Sequence, residues 1–262
     1  MSAAESPDFS RSGTTELLAR YFRQRGEFGV RAWPFHGMEG VEVVALLRRF
    51  AESGQGSEEP TVVESAAAPA GHTSDFEPPK DYDELREAAL VCTRCRLAGE
   101  RNQVVFSDGN PDARVMVVGE APGANEDRTG LPFVGAAGKL LDLLLRGVGL
   151  SRKDSVYICN VLKCRPPGNR NPRPDEIETC APWLHRQIEL VRPEVILAVG
   201  TFAGQLLSGR ESPLGKLRGE VYSYQGTPLV VTYHPAALLR NSRWTRATWH
   251  DLQLLRRVLD GS

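Results

Sequence analysis

Four short apolar runs, Val115–Val118, Val156–Leu162, Val195–Val199 and Leu229–Thr232, recur through the second half of the chain, separated by stretches with helical periodicity. Strands that are apolar along their whole length need cover on both faces. Intervening helices supply that cover and return the chain so that successive strands run parallel. The periodicity predicts helices at Tyr82–Val91, Ala136–Gly147, Pro174–Val191, Thr201–Leu207 and Thr245–Leu259, with a further strand at Val221–Tyr224. The third of these helices opens with Asp175 and Glu176, whose charge suits a helix amino terminus. The fold class is therefore α/β, with a parallel-rich sheet between helical layers. In such sheets ligands gather at the carboxyl ends of the strands.

The segment before this pattern has a different character. Residues 53–80 are rich in Ser, Gly, Ala, Pro and Glu and read as a flexible linker. Residues 1–52 hold two short amphipathic patterns, Thr14–Gln24 and Val41–Ala51, expected as a small helical extension of unknown function. The main domain is then 81–262. No apolar stretch approaches the roughly 20 residues of a membrane-spanning helix, and the polar start lacks the regions of a signal peptide. A cytoplasmic protein with no membrane partner is expected. A net charge of −1 gives no global pull toward polyanions. The one local basic cluster is Arg240, Arg243 and Arg246 around Trp244.

Four of the five cysteines form two pairs, Cys92 with Cys95 and Cys164 with Cys180. Without a secretory signal, thiols in this pattern read as metal ligands rather than disulfide halves. Four thiolates suit zinc and an iron-sulfur cluster equally by ligand type. Cys159, inside a strand, reads as a buried inert thiol.

Three strand ends deliver polar residues. After the first strand comes the segment 119–135, Gly-Glu-Ala-Pro-Gly-Ala-Asn-Glu-Asp-Arg-Thr-Gly-Leu-Pro-Phe-Val-Gly, read as a loop in which Glu120, Glu126 and Asp127 are candidate bases. Its glycine spacing matches neither a Walker A loop nor a dinucleotide fingerprint. The second strand leads through Asn160 into Lys163-Cys164-Arg165-Pro166-Pro167-Gly168-Asn169. A strand-end amide can present a donor and an acceptor side by side to the edge of a base. The last strand leads to His234-Pro235-Ala236-Ala237-Leu238-Leu239-Arg240. Two leucines followed by arginines suggest a wedge with phosphate contacts.

Taken together, these segments resemble the family 4 uracil-DNA glycosylases, the iron-sulfur type, from about Tyr82 to Leu259. The resemblance rests on G-E-A-P-G at 119–123, T-G-x-P-F-V-G at 129–135, N-V-x-K-C-R-P-P at 160–167, H-P-A-x-L-L-R at 234–240 and the four cysteines. It implies a three-layer α/β/α fold with a central, mainly parallel four-stranded sheet. It further implies a 4Fe-4S cluster on Cys92, Cys95, Cys164 and Cys180, with zinc as the alternative metal. Phe133 would stack on a flipped uracil, Asn160 would bond its polar edge, and His234 would bond O2. The backbone of Gly119, Glu120 and Ala121 would line the pocket, and Glu126 would lie near C5. Glu120, Asn169 and His234 would be catalytic. Leu238 or Leu239 would fill the vacated stack, while Arg240, Arg243 and Lys163 would contact phosphates.

The activity so implied is hydrolysis of the N-glycosidic bond of uracil in DNA, leaving an abasic site, by a monomeric, nucleoid-associated repair enzyme. The cluster would tie the start of the domain to the active-site loop. Two other readings are a related glycosylase that acts on deaminated purines or stays covalently attached to its product, and a non-catalytic DNA- or partner-binding module. The resemblance does not reach residues 1–80.

Overall fold

The computed structural model describes residues 62–63 and 76–261. The two helices expected before residue 52 lie outside the described residues. The sheet has seven strands: β1 (Val62–Val63), β2 (Asp108–Gly109), β3 (Val115–Gly119), β4 (Val156–Asn160), β5 (Val195–Val199), β6 (Val221–Tyr224) and β7 (Thr227–Thr232). Their order is β1-β6-β7-β5-β3-β4-β2. The central four, β7, β5, β3 and β4, are parallel throughout. Short antiparallel strands, β6 and β2, extend them on either side. At one edge Val62 and Val63, within the segment read as a linker, pair in parallel with Val221 and Tyr222.

Eight helices accompany the sheet among the described residues: α1 (Tyr82–Leu90), α2 (Ala124–Thr129), α3 (Ala136–Gly147), α4 (Pro174–Val191), α5 (Thr201–Ser208), α6 (Leu214–Leu217), α7 (Pro235–Arg240) and α8 (Thr245–Asp260). None is long and apolar enough to cross a membrane. Three of them, α2, α6 and α7, fall where the sequence pattern predicts none. Each spans six residues or fewer, too few turns for an apolar period to emerge.

Alternation along the strands divides the interior in two. Met116, Val118, Tyr157, Cys159, Ile196, Ala198, Leu229 and Val231 face one way, into a core shared with α1, α4 and α5. Val115, Val117, Val156, Ile158, Val195, Leu197 and Val230 face the other, against α3 and α8. The three-layer expectation is met. The parity also separates the chemistry: Cys159, Cys164 and Cys180 belong to the first core and Phe133 to the second. Asn160, one residue beyond Cys159, takes the opposite face.

Candidate active site and cysteine cavity

Adjacent parallel strands place Gly119 directly beside Asn160. A Cβ on Gly119 would lie 2.3 Å from Asn160 Oδ1 and 2.6 Å from the tip of the Phe133 ring. Only glycine lets the amide and the aromatic ring approach the same point of backbone. Asn160 is 2 % exposed, and among the described residues its Oδ1 has no hydrogen-bond partner. Leaving a buried carbonyl unpaired costs about 1–3 kcal/mol, so an oxygen in this state signals an absent donor.

His234 follows β7 and caps α7. Its Nδ1 accepts the Ala236 amide at 3.2 Å, which leaves the proton of the neutral ring on Nε2. Burial, with Arg240 adding to it and Glu126 opposing, pushes the imidazole down to about 4. At neutral pH the residue is an uncharged donor. Its ring faces that of Phe133, centroids 5.4 Å apart and planes 27° from parallel. To meet it, His234 passes over Gly200 at the end of β5, whose own Cβ would stand 3.3 Å from that of His234.

Phe133 is held in the left-handed region, with φ of 54°, which costs a residue other than glycine about 1–3 kcal/mol. The segment around it is tied at several points. Glu126 Oε1 accepts the amides of Val134 and Gly135 at 3.0 and 3.1 Å. Asp127, one of the three acidic residues considered as bases, is 1 % exposed and takes the Asn102 amide at 2.9 Å and its Nδ2 at 2.6 Å. Its role is to fasten a neighbouring loop. That leaves Glu120, a half-buried residue on the strand end. Burial raises its carboxyl above the ordinary range, with Arg240 acting against the rise.

The remaining expected site residues lie on two other segments, the turn after Cys164 and α7 with the turn that follows it. Asn169 has a left-handed φ of 56° in an exposed 3-10 turn, Pro167–Asn169, and its Oδ1 accepts Arg165 Nε at 2.8 Å. Leu238 is 4 % exposed, whereas Leu239 is 55 % exposed. Of the two leucines read as a wedge, Leu238 is committed to the core because it faces inward on α7, and Leu239 alone is free to enter a duplex. Arg240 and Arg243 are exposed beside it. Lys163 is a clear correction. It is 2 % exposed, and its Nζ donates to the Asn160 carbonyl at 2.7 Å and to Gln187 Oε1. A phosphate contact is out of its reach.

Cys92, Cys95, Cys164 and Cys180 line one cavity with Arg94, Arg101 and Trp183. Among the described residues no three His, Cys, Asp or Glu side chains are placed to hold a single metal ion. The sulfurs are met by donors: Arg101 Nη1 approaches Cys164 Sγ at 3.3 Å and the Lys163 amide approaches Cys180 Sγ at 3.3 Å. Burial pushes the Cys180 thiol up to about 12 and raises that of Cys164. The C-x2-C turn leans on α4 through Arg94, which donates to the Thr179 carbonyl at 3.1 Å. Four thiols around one cavity, with N–H groups aimed at two of them, fit a thiolate-bound metal group.

The turn between Cys164 and Cys180 is braced by Glu176, whose side chain is 0 % exposed. It accepts Arg170 at 2.6 and 2.9 Å and the Arg173 amide at 2.9 Å. Arg170 chiefly holds this carboxyl below its usual range, so the stabilisation exists above the ordinary carboxylate pKa and disappears as pH falls through the lowered value. Glu176→Gln is expected to cost about 2–3 kcal/mol at pH 7. Urea unfolding tests this, and the gap from the parent should narrow in acid. Equal stability at pH 7 would contradict it.

The sequence pattern did not single out Arg152, yet it touches the Phe133 segment directly. It donates to the carbonyls of Pro132 at 2.9 Å and Phe133 at 2.8 Å. Nothing in its local sequence marks it, since its partners lie far away along the chain.

Comparison with known proteins gives a consistent result. The family model described as "Uracil DNA glycosylase superfamily" matches residues 106–253. A type-4 uracil-DNA glycosylase of Sulfurisphaera tokodaii is 39% identical over 184 residues, covering 67% of this chain and 84% of the relative. One from Thermotoga maritima is 49% identical over 159 residues, covering 60% and 82%. A third, from Archaeoglobus fulgidus, is 43% identical over 168 residues, covering 61% and 84%.

Proposed function

We infer a mechanism from one premise: the chain belongs to the uracil DNA glycosylase superfamily, with type-4 enzymes among its relatives, and is a hydrolase that excises uracil from DNA in repair. The observation that carries the mechanism is the buried, unpartnered Oδ1 of Asn160. Uracil offers an N3–H donor beside the O4 acceptor, and one amide answers both. Cytosine reverses the two groups, leaving buried polar atoms opposed, a mismatch that can give about 10⁴-fold rejection.

The base rests on Phe133 with its polar edge toward Asn160. It does not lie between Phe133 and His234, because two van der Waals layers need about 7 Å and the ring centroids are 5.4 Å apart. His234 Nε2–H reaches O2, where negative charge builds as the glycosidic bond breaks. A neutral donor suits this task because it strengthens as the charge develops. Glu120 supplies the anion that steadies the positive sugar and orients the attacking water. Gly119 and Ala121 form the pocket floor, and Glu126, through Val134 and Gly135, fixes the wall near C5. Flipping the base costs a few kcal/mol, with Leu239 filling the gap and Arg240 and Arg243 on phosphates. Asn169 acts from its turn at the pocket's rim.

Cys92, Cys95, Cys164 and Cys180 would hold a 4Fe-4S cluster, which would supply structural cross-linking when bound. These cysteines belong to the C-x2-C turn, the segment after β4 and α4, so holding them together would steady the segment that follows Asn160.

The test is base release from oligonucleotides containing uracil, hypoxanthine or xanthine. Free uracil and an abasic site are expected. Release of purines alone, or protein trapped on the product, would replace this reading with the corresponding alternative. Glu120 gives a second test. Its anion forms only above its raised pKa, so kcat/KM should fall as pH drops through that value, while His234 stays neutral until about 4. Glu120→Gln should lower the rate and abolish that acid limb. An unchanged limb would remove Glu120 from the mechanism.

A further inference from the structure

We propose that Arg152 is a positioning residue for uracil binding: its guanidinium holds the strained Phe133 backbone, and through it the aromatic face on which the base rests. The inference depends on the stacking role proposed for Phe133. Arg152 lies in the turn before β4, 17 % exposed, and all three of its nitrogens are used. Nη1 donates to the Pro132 carbonyl at 2.9 Å and Nη2 to the Phe133 carbonyl at 2.8 Å. Nε bonds Asp142 at 2.9 Å, and Nη1 also reaches Asp108 at 2.8 Å. Asp108 stands on edge strand β2 and Asp142 on α3, so both the sheet and a helix aim the fork.

The need for such a fork follows from the backbone. With φ of 54°, Phe133 would relax toward ordinary geometry if nothing fixed its carbonyl. That carbonyl also presses on α3, where a Cβ at Gly138 would come within 1.6 Å of the Phe133 oxygen. Arg152 and Gly138 therefore trap one peptide between a donor and a gap. A lysine keeps the charge opposite Asp108 and Asp142 but lacks the planar fork that takes two carbonyls and two carboxylates together.

The experiment measures the inhibition constant of free uracil, kcat/KM, melting temperature and cluster absorbance for the parent, Arg152→Lys and Gly138→Ala, with Phe133→Ala alone and combined with Arg152→Lys. Uracil release by the parent establishes the underlying activity separately. Arg152→Lys and Gly138→Ala should each weaken uracil inhibition about tenfold or more, with cluster absorbance and affinity for uracil-free DNA retained. In the Phe133→Ala background, Arg152→Lys should add less than about twofold. Uracil inhibition within twofold of the parent in both Arg152→Lys and Gly138→Ala would overturn the proposal. So would an undiminished effect of Arg152→Lys without the Phe133 ring. Should Arg152→Lys fail to fold, Asp142→Asn, which keeps the guanidinium but weakens the carboxylate that aims its Nε, decides the question: uracil inhibition within twofold of the parent there would overturn the proposal.

Discussion

Asn160→Ala is expected to lower kcat/KM for uracil release by about 10²- to 10³-fold while the protein stays folded and keeps its cluster. The change removes both groups that answer uracil's N3–H and O4. Losing one preorganised polar contact at a reacting site costs about 2.7–4 kcal/mol. The fold should tolerate it, because among the described residues the Oδ1 it deletes has no partner and its removal relieves a desolvation cost. The strand itself is held by main-chain pairing to Gly119 and by Lys163 on the Asn160 carbonyl, neither of which the substitution touches. Discrimination should fall with the rate, since the same amide is proposed to reject cytosine. Single-turnover release from uracil and cytosine oligonucleotides, with melting curves alongside, checks this. An unimpaired rate would remove Asn160 from the pocket.

Cys180→Ala should have the larger effect on stability. It is expected to abolish the visible absorbance of the iron-sulfur cluster and to lower stability by about 5 kcal/mol or more, about 10–20 °C in melting temperature for a domain of this size. Three separate segments meet at the cavity. They are also joined by side-chain contacts such as Arg94 on the Thr179 carbonyl and Arg101 on Cys164, but a shared four-thiolate group would be their one covalent link. Cys159→Ala is the control: that thiol is fully buried but points into the core beside Met116 and Val118. It should lose about 1–2 kcal/mol and keep the cluster. Equal loss of cluster in both variants would contradict the ligand assignment.

The sheet was legible because its strands are continuous apolar runs, a pattern few other structures share. Helices α3 and α4 matched their expected bounds because each carries several turns of apolar period. The short helices were not legible, and side-chain direction depended on them. Once α7 is seen, Leu238 turns inward and Leu239 outward; in the bare sequence the two are equivalent. Lys163 misled for a related reason. A lysine after a strand reads as surface, and its burial rests on the Asn160 carbonyl together with Gln187, 24 residues away on α4. Asp127 resembled Glu120 as a candidate base until Asn102, from an upstream loop, took both its oxygens. Of the proposed pocket residues, the positions of Gly119, Glu120, Asn160 and His234 at or just past a strand's end were legible, because each follows an apolar run. Arg152 was not, because its role rests on carbonyls about 20 residues upstream in a loop whose path the sequence does not disclose.

The most direct measurement is a crystal structure of the protein with free uracil. The account predicts the base on the face of Phe133, its N3–H and O4 on the Asn160 amide, and its O2 within hydrogen-bond distance of His234 Nε2. Uracil bound elsewhere, or bound here with its O2 edge toward Asn160, would contradict it.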